Sequence, residues 1–145
     1  LRESVQLLDA YIASEGPFHG ILGFSAGAVL AALYLMDKTR RGQRIPLKFG
    51  IFVASANNAN EVAYLGLDSQ DRETGRISIP TAHIWGANDE SAPKGGLGIS
   101  EMCNPVLRST LVHSGGHEFP RSKGDLTHAA HVVQRTMQLA REQAS

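Results

Sequence analysis

With a single cysteine, Cys103, the chain cannot close an internal disulfide, which excludes a small disulfide-stapled scaffold and fits a reducing compartment. Charge imbalance is missing too. Lys plus Arg and Asp plus Glu are 14 each, and no basic stripe or acidic run occurs, so nucleic acid is not an expected partner. No apolar run reaches the roughly 18 to 20 residues that cross a bilayer, and no basic leader precedes the first helical pattern. A soluble, cytoplasmic protein with no membrane partner is the expectation. There is no internal repeat and no low-complexity tract. An initiating Met is also lacking: the chain opens on LRESVQLLDAYIASEG, as a portion of something longer would. Its 145 residues suit one domain with a real core, spanning residues 1–145.

What is present is an alternation of short apolar runs and helical patterns. Residues 1–15 place Val5, Leu8 and Ile12, with Leu7 and Tyr11, at helical spacing, and Gly16-Pro17 ends that helix. His19 to Phe24 reads as a buried strand. Ala26 to Met36 is apolar on nearly every face and reads as a helix pressed on a sheet, with Lys38 to Arg44 its solvated exit. Strands are expected over Leu47 to Ala54, Thr81 to Trp85 and Val106 to His113, with a helix from Leu97 to Cys103. The polar stretch from Ser55 to Ser78 reads as a long loop or small lid. An amphipathic helix from Asp125 to Glu142 closes the chain. Continuous apolar strands alternating with helices predict an α/β fold, a parallel sheet covered on both faces through right-handed crossovers.

Gly23-Phe24-Ser25-Ala26-Gly27 is a G-x-S-x-G sequence between a predicted strand and a predicted helix. A serine hydroxyl attacks well only when held exposed beside a base, and a tight strand-to-helix turn supplies that exposure. The small flanking residues let the backbone turn without a Cβ clash. The same turn leaves the Ala26 N–H at a helix N-terminus, where it can face a developing oxyanion. The blander alternative is that Ser25 caps the helix and the glycines only allow helix and sheet to approach.

A nucleophilic serine needs a base and a group that orients the base. Asp89, in GANDE directly beyond the strand TAHIW, can accept a hydrogen bond from an imidazole Nδ1 and fix its tautomer. Glu90 is the adjacent rival, and the shorter side chain is favoured as a rigid orienter. His117, in HSGGHEFP, follows the last strand on a loop whose glycines are expected to make it mobile enough to swing over Ser25. His113, at the strand end, is expected to be partly buried and to shape that loop. A metal site of His113, His117 and Glu118 would need a helix there, and Gly115-Gly116 argue against one. His19, His83, His128, His131 and Cys103 are taken as surface or packing residues, and no metal or cofactor is called for.

GPFHGILGFSAGA, PTAHIWGANDE and HSGGHEFP together resemble the fungal-type family of serine hydrolases, the FSH group of the α/β-hydrolase superfamily, over nearly the whole chain. The resemblance implies Ser25, Asp89 and His117 as a triad. It implies acyl esters or acyl thioesters as substrates, including acyl or polyketide chains released from an acyl carrier protein in secondary metabolism. It also implies N-terminal strands and a loop bearing a second oxyanion donor, with no counterpart in this sequence. An upstream segment or second chain is therefore expected against His19 to Phe24, whose sheet edge would otherwise stay unpaired. Residues 55–78 and Ala92 to Gly98 are expected to shape acyl selectivity. The competing reading is a non-catalytic interaction domain or truncated pseudo-hydrolase that keeps the fold.

Overall fold

The computed structural model describes residues 2–56, 76–93 and 95–144, so most of the polar stretch read as a loop or lid lies outside the described residues. Helix α1 (Arg2–Glu15) buries Val5 and Ile12, two turns apart on one face, while Leu7 and Tyr11 point outward. Strand β1 (Gly20–Phe24) runs into α2 (Ala26–Arg40), whose eight buried residues from Ala28 to Met36 make it the centre of one core. Then come β2 (Phe49–Val53), β3 (Thr81–Gly86), α3 (Gly95–Glu101), β4 (Arg108–His113) and the long α4 (Lys123–Ala144).

The four strands lie in the order β1-β2-β3-β4, every neighbouring pair parallel, as the apolar runs predict. Strand alternation divides the interior. Phe52 faces a core built with α1, α2 and α3, including Leu33, Leu35, Ile99 and Met102. Ile51, Val53, Ala82 and Ile84 face the other way, onto Ala129, Val132 and Val133 of α4. Both faces of the central strands are thus covered, which explains why β3 is buried at every position.

Several boundaries differ from those read in the sequence, and three of them have a visible cause. Helix α3 starts at Gly95, two residues before Leu97, because the chain there lies against its neighbours: a Cβ on Gly96 would come within 2.4 Å of the Trp85 ring, and one on Gly95 within 2.1 Å of the Ser55 carbonyl oxygen. Those glycines open a helix for want of space, a reason that propensity does not carry. Strand β4 starts at Arg108, since the Asn104 side chain accepts from the Val106 N–H at 2.9 Å and its carbonyl from the Leu107 N–H at 3.0 Å, forming a turn. Helix α2 runs on to Arg40, where Lys38 pairs with Asp9 at 2.8 Å and Arg41 with Asp37 at 3.0 Å.

His83 is a packing residue. It is fully buried in β3, stacks on Phe52 with ring centroids 5.1 Å apart, and shares a 2.8 Å hydrogen bond with Thr81 Oγ1. Burial, helped by the charge of Arg108, pushes its pKa down to about 3 from 6.5. The unfolded chain therefore binds this proton first on acidification, and stability falls from pH 6.5 downward until the folded value is reached. Thermal unfolding followed against pH should show this loss, and His83→Phe should flatten it; an unchanged slope in the variant would place the acid sensitivity elsewhere.

Candidate active site

Ser25 sits between β1 and α2 with φ 56° and ψ −118°, a region that a residue with a side chain enters only when its surroundings hold it there. They do so on both sides of the peptide. The Ser25 N–H donates to Val53 O at 2.9 Å, and Ser25 O accepts from Ala28 and Val29 of α2 and from Ala56 beyond β2. A Cβ on Gly23 would fall 2.4 Å from Gly27 O, so glycine at 23 is required by close approach. Gly27 has open space around its Cβ position, and the expected steric reason does not apply to it. The Ser25 side chain makes no capping hydrogen bond, which removes the helix-cap alternative.

Its hydroxyl instead lies 2.8 Å from His117 Nε2, while His117 Nδ1 lies 2.7 Å from Asp89 Oδ2. A carboxylate only accepts, so Nδ1 carries the proton and Nε2 keeps its lone pair for the Ser25 O–H. Asp89 is buried to within 1 % of its side chain and its other oxygen accepts from the Ala92 N–H at 2.8 Å. Burial pulls the Asp89 carboxyl upward, but the hydrogen bonds from His117, Ala92 and Ser91 outweigh it and hold the group below its ordinary 3.8. Glu90, the rival, is exposed, whereas Asp89 points at the imidazole. Ala26 is exposed and is the first residue of α2, so its N–H has no acceptor inside the helix.

The loop carrying His117 is tied at several points by hydrogen bonds, a constraint that its glycines do not announce. Asn88 donates from its N–H to Gly115 O at 2.9 Å and from its side chain to Ser114 O at 2.8 Å. Asp125 accepts from both the N–H and the hydroxyl of Ser114, at 3.1 and 2.7 Å. Its seat is made by Gly86 at the end of β3, where a Cβ would stand 2.3 Å from the carbonyl oxygens of Gly115 and Gly116. That requirement was missed from the sequence, although a glycine ending a buried apolar strand could have signalled it.

Both imidazoles of the loop are fully engaged, His113 with Gly115 and Glu118 and His117 with Ser25 and Asp89, so their nitrogens do not converge on a common point. Among the described residues no three His, Cys, Asp or Glu side chains form a metal-binding group. His19, His128 and His131 are exposed. Burial raises the Cys103 thiol to about 12 and keeps it protonated, consistent with packing. Phe24 and Phe119 stack 5.1 Å apart beside His117, an aromatic wall that the sequence reading passed over. No helix among the described residues is long and apolar enough to cross a membrane.

Comparison with known proteins places the chain in a family. The family model described as "Serine hydrolase (FSH1)" matches residues 1–129. Esterase FPY3 of Fusarium mangiferae is 37 % identical over 118 residues, covering 77 % of this chain and 52 % of the relative. Family of serine hydrolases 2 of Saccharomyces cerevisiae is 30 % identical over 137 residues, covering 90 % of this chain and 59 % of the relative. This chain thus spans only about half the length of these curated relatives. The monoacylglycerol lipase of Paleococcus ferrophilus superposes with a TM-score of 0.64 at 14 % identity, over 94 % of this chain and 75 % of that one. The fold is that of the α/β-hydrolases, as the sequence motifs implied.

A methyl group at position 86 tests the seat of the loop. Gly86→Ala should push Gly115 and Gly116 away and lengthen the Ser25 to His117 contact, with the fold retained. Circular dichroism should be unchanged and ester turnover should fall about 10²-fold, the loss expected of a displacement near 1 Å. Wild-type turnover in this variant would show that the contact does not depend on the seat.

Proposed function

The chain belongs to the FSH1 family of serine hydrolases, and on that footing we propose that it carries out acyl transfer to water from a carboxylic ester or acyl thioester through an acyl-enzyme on Ser25. The observation carrying this reading is the unbroken pair of contacts, Ser25 Oγ to His117 Nε2 at 2.8 Å and His117 Nδ1 to Asp89 Oδ2 at 2.7 Å. Ser25 attacks the acyl carbon as His117 takes the hydroxyl proton at Nε2. Asp89 holds the imidazole and offsets the charge it gains, without taking the proton itself. The Ala26 N–H donates to the tetrahedral oxyanion. Collapse of that intermediate passes the proton from His117 to the leaving alcohol or thiol, and water activated by His117 then releases the acid and frees Ser25. No step needs a cofactor.

A second oxyanion donor belongs to this reading, and we assign it to a segment adjoining β1. That strand ends the described sheet, with Leu22 and Phe24 exposed on it, and the match to Esterase FPY3 covers only 52 % of that relative. Losing one such donor costs about 10²- to 10³-fold in rate, so the full-length protein is the form to assay. Acyl chains bound to a carrier protein are the thioester substrate we propose, in a reducing, cytoplasmic setting that suits the buried Cys103 thiol.

Turnover of short acyl esters, acyl thioesters and peptides by the full-length protein ranks the substrates. Esters and thioesters should be cleaved and peptides left intact, Ser25→Ala should abolish turnover, and Asp89→Asn should lower kcat about 10⁴-fold by releasing the imidazole from its tautomer. Because the Asp89 carboxyl is held below 3.8, rate lost on acidification above that pH should not arise from Asp89. Undiminished turnover by Ser25→Ala would refute the acyl-enzyme, and preferential peptide cleavage would refute the substrate class.

A further inference from the structure

His113 ends β4 and is 2 % exposed, four residues before His117, and the mechanism above assigns it no proton. Both of its ring nitrogens are nevertheless occupied. The Gly115 N–H lies 3.0 Å from Nδ1 and the Glu118 carbonyl oxygen lies 3.0 Å from Nε2. These partners sit on either side of His117. A backbone N–H only donates and a carbonyl only accepts, so one form of the ring satisfies both, the neutral imidazole protonated at Nε2. A cation would set N–H against N–H at Gly115, and the other neutral tautomer would lose both bonds.

We propose that His113 is a positioning residue whose single tautomer holds the two ends of the His117 turn at a fixed separation, so that the His117 ring reaches Ser25 and Asp89 at once. Two further contacts agree with a braced turn. Glu118 Oε2 accepts from the Gly116 N–H at 3.3 Å, and Glu118 N–H donates to Gly116 O at 2.9 Å, tightening the same turn from inside. The pattern is that of two histidines in opposite tautomers: His117 carries its proton on Nδ1 and donates it to the Asp89 carboxylate, and His113 carries its proton on Nε2 and donates it to the Glu118 carbonyl. A residue with a donor and an acceptor at the ring's two ends is needed, and an apolar ring of the same size would fill the space without holding either strand of the turn.

The consequence for catalysis rests on the acyl-enzyme reading, but the tautomer and the hold on Gly115 can be read without it. In the full-length protein, long-range 1H–15N correlation should find His113 neutral with its proton on Nε2, and the Gly115 amide should exchange slowly with solvent. His113→Phe should speed Gly115 exchange and lower kcat for a p-nitrophenyl acyl ester about 10²-fold while KM stays within about twofold, since the ring acts on geometry rather than on substrate. His113→Asn, which returns an acceptor toward Gly115, and His113→Gln, which returns a donor toward Glu118, should each recover part of that loss. A proton on Nδ1, a freely exchanging Gly115 amide, wild-type kcat in His113→Phe, or equal losses in all three variants would overturn the proposal. Should His113→Phe fail to fold, the tautomer and the exchange rate of the unsubstituted protein decide the matter. Absence of any ester turnover in the wild type would refute the acyl-enzyme and leave those two readouts standing.

Discussion

A neutral imidazole offers one N–H and one lone pair in a fixed plane, at opposite sides of a small ring. To use both at hydrogen-bond distance it must be held between two partners whose positions are set to within a few tenths of an ångström. In this protein the partners and the ring come from three different connections, after β1, β3 and β4. The parallel register brings those ends together: Phe24 is level with Val53, Val53 with Ile84, and Gly86 with His113. Ser25, Asp89 and His117 follow within a few residues of these positions. Ligand and reaction sites of open α/β sheets gather at the carboxyl ends of the strands for this reason.

Register alone leaves the connections loose, and a few backbone hydrogen bonds between distant segments fix them. Ser25 is held in its unusual conformation by Val53 on one side and by Ala56 and α2 on the other. The loop of His117 is tied to Asn88, one residue before Asp89, so the acid and the base share a support as well as a hydrogen bond. Burial makes the tie worth more, since Asp89 is almost wholly removed from water and yet keeps its charge through three donors.

The fold was legible because its signals are local and redundant. Apolar runs such as FGIFV and TAHIW, short and set between helical patterns, read as buried strands, and the alternation predicts a parallel sheet. The positions of Ser25, Asp89 and His117 were legible because each follows a strand at the same sheet end, although choosing Asp89 over Glu90 rested on side-chain length and on the resemblance to the FSH group. What the sequence hid were contacts between segments distant in the chain. The glycines of HSGGHEFP look like freedom when read alone; in the structure Gly86, near thirty residues earlier, shows them to be a close fit. The start of α3 at Gly95 and the stacking of Phe24 on Phe119 were hidden for the same reason.

Whether His117 and Asp89 together make Ser25 nucleophilic is open to direct measurement. Peptide mass mapping after treating the full-length protein with a fluorophosphonate addresses it directly, because the reagent phosphonylates only an activated serine. One adduct per chain is expected, located on Ser25, formed much more slowly in Asp89→Asn and not at all in His117→Ala. An intact protein that takes no adduct, or takes it on another serine, would contradict it.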